Sequence, residues 1–113
     1  MKRVCASLTG FLALLAVTAA HAQADQDRRA LMSLYFASIA ADRCDFPLNE
    51  ADADKLIQTA STLQKKMGLK DEAADRLYEE VELAFEKKLP DACKKDGEAF
   101  KSYEQVMQDI RKK

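Results

Sequence analysis

Cys44 and Cys93 are the residues of this chain with the clearest capacity for chemistry, and that chemistry is oxidation to a disulfide. What favours it is the N-terminus. Lys2 and Arg3 precede an apolar stretch from Leu8 to Ala20, and Ala20-His21-Ala22 supplies the small-x-small pattern of an export cleavage site. Residues 1–22 therefore read as a cleaved signal peptide, and residues 23–113 as one mature domain. Cys5 leaves with the leader, and it precedes the apolar core where a lipoprotein cysteine would follow it. The short basic start and alanine cleavage box look bacterial, which makes the expected destination the periplasm. Thiols oxidise there, and only two remain, so one structural disulfide is the default expectation.

Other reactive constellations are missing from the pattern. His21, the one histidine, is lost with the leader, so the mature chain has no imidazole base or ligand. There is no Gly-x-Ser-x-Gly elbow and no phosphate-cradling glycine loop. Asp52-x-Asp54 begins like a calcium loop, but the glycine and terminal glutamate do not follow. Glu79, Glu82 and Glu86 share a helix face, yet carboxylate-bridged metal sites in bundles need Glu-x-x-His pairs. They read as a solvated face. Cys44 and Cys93 lack the close spacing of a zinc or redox pair. The expectation is a protein that is not an enzyme and needs no catalytic residue, metal or cofactor.

The elements that position the cysteines are helices. Alternating β-branched runs are absent and there are only two prolines. The first helix is predicted over about Asp25 to Asp42. From Ala30 to Ala41 it carries no charge, with Leu31, Leu34, Tyr35 and Ser38 in one stripe and Met32, Phe36 and Ile39 in a second. A helix apolar most of the way round is buried on more than one side. Either it is packed centrally among the other helices, or one stripe is covered by a second subunit or a client protein. On the second reading Leu31, Met32, Leu34, Tyr35, Phe36 and Ile39 form the dimer or client surface.

Pro47 disfavours helix at Phe46, which is expected to pack beside the disulfide. Asn49 is an N-cap for a second helix over Glu50 to Met67, with Ala53, Leu56, Ile57, Ala60, Leu63 and Met67 on one face and Gly68 as its stop. A third helix starts near Asp71 with a stripe of Ala74, Leu77, Tyr78, Val81, Ala84 and Phe85, and ends at Leu89-Pro90. Helices two and three are predicted to form an antiparallel hairpin across their short connection. The fourth carries Cys93, Phe100, Tyr103, Met107 and Ile110, with Gly97 dividing it into a short turn and a longer helix. The fold class is all-α: a small four-helix orthogonal/antiparallel bundle with one disulfide.

Cleavage removes Lys2 and Arg3, leaving 16 basic side chains against 19 acidic ones. That near-neutral balance gives no reason to expect a nucleic-acid partner. The leader's apolar stretch is short of the ~20 strongly apolar residues of a membrane span, and no second such run follows, so no stable membrane anchor is expected. At pH ~2–3 carboxylates with reference pKa values near 4 become neutral, and the chain swings to about +16. Self-repulsion then opposes the compact state.

The stretch Cys93-Lys94-Lys95-Asp96, then Phe100-Lys101, then a lysine-rich tail, resembles that of HdeA-type periplasmic acid-stress chaperones. The mature length and the cysteine separation are also similar. Asp45-Phe46-Pro47-Leu48 stands where that family has a tryptophan near its first cysteine. The chain is likewise similar to small exported helical proteins of alphaproteobacteria. The first resemblance implies a stress-response chaperone that is a homodimer at neutral pH. In acid it separates, partly unfolds and holds unfolded client proteins on exposed apolar surface, while the disulfide keeps it compact. The charge-free run of the first helix would then serve as both dimer contact and client surface. The competing expectation is a periplasmic interaction or virulence-associated factor that binds one specific protein partner.

Overall fold

The computed structural model describes residues 2–112, with side chains described from His21 onward. Cys5, the apolar stretch Leu8–Ala20 and the terminal Lys113 lie outside what is described of side chains. Four α-helices follow one another: α1 (Lys2–Cys44), α2 (Glu50–Met67), α3 (Asp71–Glu86) and α4 (Glu98–Arg111), with one 3₁₀ turn, Asp91–Cys93, between α3 and α4. Among the described residues there is no strand, and the chain is a small all-α bundle with one disulfide.

The first helix is longer than Asp25 to Asp42, because nothing between Lys2 and Asp25 breaks helical geometry. Its packed part is where the charge-free run placed it. Residues 21–30 are exposed apart from half-buried Asp27, and burial starts at Leu31. From there Leu31, Leu34, Tyr35, Ala37, Ile39, Ala40 and Ala41 are all buried. The cause is topological: α2, α3 and α4 each pack on α1, which is therefore the central element.

Local chemistry sets the ends of the covering helices. Asn49 caps α2, its Oδ1 accepting from the Asp52 N–H at 2.8 Å. Gly68 ends α2 in the left-handed region at φ 65°, where a side chain would be strained, and its N–H closes on the last turn. Gly97 stands just before α4, as its dividing role predicted. Between α1 and α2, Asp45 also takes a left-handed φ of 56°, which Asp tolerates better than most residues. The Leu89-Pro90 peptide bond is cis.

Three expectations are corrected. α2 and α3 do not form a packed hairpin; they scarcely touch each other, because each spends its apolar face on a different side of α1. Ile57 is 66% exposed, since the buried side of α2 is centred on Asp52 and Leu56. Ala84 is exposed as well, because α3 turns Val81 and Phe85 inward.

Candidate functional site

Cys44 and Cys93 are bonded, with Cα atoms 5.0 Å apart and a sequence separation of 49. The bond joins the end of α1 to the turn that leads into α4, so α2 and α3 both lie inside the covalent loop. Phe46, two positions after Cys44, is buried, with its ring edge-on to Phe100 at 4.9 Å and tilted to Tyr103 at 5.3 Å. The Tyr103 hydroxyl donates to the Pro47 carbonyl at 2.6 Å, so the non-helical segment after Cys44 is pinned to α4 as well.

The six residues expected to form a dimer or client surface divide into two groups. Leu31, Leu34, Tyr35 and Ile39 are buried in this folded state. The covers are α2 and α4 over Leu34, and α3 over Tyr35, whose ring meets Tyr78 edge-on at 5.2 Å. Met32 and Phe36 are only half-buried. Phe36 rests edge-on against Phe85 of α3 at 5.8 Å, and both residues line a groove between α3 and α4 of about 860 Å³. A second depression of about 560 Å³ lies over Leu34, between Lys55 and Thr59 of α2 and Ile110 of α4.

What holds the covers in place is partly apolar and partly ionic. Lys66 of α2 reaches Asp27 of α1 at 3.5 Å. Arg28 of α1 bonds Glu80 of α3 at 3.1 Å, and Arg43 bonds Glu86 at 2.7 Å with Glu82 at 3.7 Å. Arg111 of α4 donates Nε and Nη2 to Oδ2 of Asp52 on α2, at 3.1 and 2.9 Å. Among the described residues, every ion pair that joins two helices thus involves a carboxylate. Glu79 and Glu86 are exposed and Glu82 is partly so, as a solvated face requires, and on that face Glu82 and Glu86 also converge on Arg43. Glu72 and Arg76, one turn apart on the exposed side of α3, pair at 3.8 Å.

The titration of several groups follows from this packing. The Glu86 carboxylate, then the nearby Glu82 and Asp42 charges, hold the Arg43 guanidinium above its ordinary pKa. Asp52 does the same for Arg111. Burial raises Tyr35, with Asp75 adding to it and the Gln64 side-chain bond opposing it. Burial also raises Tyr103, with Arg111 opposing and Asp52 adding. Among the described residues no cluster of His, Cys, Asp and Glu is arranged to hold a metal ion, and no buried side-chain polar atom lacks a partner. No described helix is long and apolar enough to cross a membrane.

Asp52 and Arg111 are the interhelical ion pair that pattern reasoning missed. Asp52 stands in the first turn of α2 and Arg111 in the last turn of α4, where each also suits its own helix dipole. Their partnership spans 59 positions, and no local signal carries it. The pairing of Arg43 had at most a hint in the i, i+4 acids Glu82 and Glu86. No family model, no curated protein and no solved structure matches the chain.

Proposed function

We propose that the mature chain is a non-enzymatic periplasmic holdase that acts in acid stress, releasing the apolar faces of α1 to unfolding client proteins when carboxylates become neutral. The observation that carries this reading is the asymmetry of the clasp around α1. Its covers α2 and α3 are fastened to α1 by ion pairs that each need a charged carboxylate, whereas the link from α1 to the turn that leads into α4 is a disulfide, indifferent to protons. Surface ion pairs are individually weak, but a small domain is only marginally stable, and a charge near +16 adds repulsion to their loss. Leu31, Leu34, Tyr35, Phe36 and Ile39 are the side chains that departure of the covers would bare.

The test is light scattering of an acid-denatured periplasmic substrate-binding protein at pH ~2–3, where carboxylic acids are neutral. The oxidised chain should suppress aggregation there, bind the apolar dye ANS, and lose both properties on return to neutral pH. Full client aggregation at stoichiometric excess of the chain would sink the proposal.

A further inference from the structure

We propose that the groove between α3 and α4 is a docking site, at neutral pH, for an amphipathic helix of a partner protein that carries acidic residues at one end. The trough exists because α3 and α4 both pack on α1 and scarcely on each other. Met32 and Phe36 form its floor, and Ala84 of α3 faces Ala99 and Val106 of α4 across it. On α4 the lining runs from Glu98 to Val106, about 12 Å at 1.5 Å per residue. That length matches apolar anchors at i, i+3 or i+4, and i+7 of one helix, the spacing with which amphipathic helices fill grooves. Met32 on the floor adapts to more than one anchor shape. The trough is not an enclosed cavity, whereas a small-molecule pocket closes over most of its ligand.

Charge gives the occupant its direction. Lys87, Lys88 and Lys94 stand at the end where α3 gives way to the 3₁₀ turn. Lys94 is engaged by Asp91 at 3.2 Å, and Glu98 is a second carboxylate at that end. Lys87 and Lys88 have no ion-pair partner among the described residues, and Glu80, further back along α3, is taken up by Arg28. With Asp91 matched to Lys94 and Glu80 to Arg28, Lys87 and Lys88 against Glu98 leave that end of the trough with one net positive charge, which favours acidic over basic residues on the incoming helix. This docking needs the folded bundle, so it stands apart from release in acid.

Fluorescence anisotropy at pH 7 on the oxidised chain tests it. The probe is a labelled helical peptide with leucines at i, i+4 and i+7 and glutamates at one end, compared with the same peptide bearing lysines there. The glutamate peptide should bind saturably, one per chain, and at least about tenfold more tightly than the lysine peptide. Lys87→Glu with Lys88→Glu should reverse that order. Ala84→Arg, at an exposed position, should weaken binding about tenfold or more with the circular-dichroism melt unchanged. Equal affinity for the two peptides would overturn the proposal. So would undiminished binding by a folded Ala84→Arg variant, or binding of dodecanoate in place of either peptide. Aggregation assays at low pH report on the holdase reading separately.

Discussion

Replacing both Cys44 and Cys93 by Ser tests how the bundle is built. The bond closes a loop of about 50 residues that contains α2 and α3 in full. Loop-closure entropy for that length is about 14 cal/mol/K, or roughly 4 kcal/mol at 25 °C, taken from the unfolded state. A domain of this size has about 5–14 kcal/mol in hand, so the loss would be a large part of the total. Urea unfolding followed by far-UV circular dichroism at pH 7 measures it. The Ser/Ser variant should lose about 3–4 kcal/mol, and its m value should rise because the opened chain exposes more surface when unfolded. Reduction of the unmodified protein by dithiothreitol should give the same midpoint as the variant. A loss below about 1 kcal/mol with an unchanged m value would refute the premise that the bond restrains the unfolded 45–92 segment.

Leu34→Asp puts an unpaired charge under α2 and α4, and should unfold the domain by more than the 2–5 kcal/mol of a simple core truncation; a cooperative melt within that range of the parent would contradict its burial. Ile57→Asp, on the exposed side of α2, should shift stability by no more than about 0.5 kcal/mol in the same urea assay. Asp52→Ala removes a first-turn acid worth about 0.3–1 kcal/mol together with the Arg111 contact, and its deficit should shrink at high ionic strength; a salt-independent deficit would mean the pair contributes nothing. Tyr35 and Tyr103 have folded-state pKa values raised by burial, so their contribution is complete below the unfolded value near 10 and is lost as pH climbs through the folded ones. The urea midpoint should therefore fall between pH ~9 and ~11 as 295 nm absorbance reports ionisation, and an unchanged midpoint would count against that burial.

Features carried by neighbouring residues were legible in the sequence. The charge-free run from Ala30 to Ala41 marks a helix covered on several sides, and Asn49, Gly68 and Gly97 punctuate the chain where their side-chain chemistry says they should. Features set by how helices choose partners were not. A short connection between α2 and α3 suggested that they pair, but α1 offers two apolar faces and each helix took one. The exposed Ile57 follows from the same choice. With α2 turning Asp52 and Leu56 inward, Ile57 is carried out to solvent at the edge of the stripe, while Ala60, Leu63 and Met67 still pack against the core. An aspartate in a core position is invisible to hydrophobic periodicity, because the residue that justifies it lies in another helix.

The position of the disulfide also decides how the protein carries a mechanical load. Tension applied between the two chain ends passes along α1, across the Cys44–Cys93 bond and into α4, and bypasses everything between. The intervening segment is stored slack. At about 3.4 Å per extended residue it holds roughly 165 Å of contour that no pull on the termini can draw out while the bond is intact. An unfolding motor or a translocating pore gripping one end would meet a short, stiff object when the chain is oxidised, and one roughly 165 Å longer in reach when it is reduced.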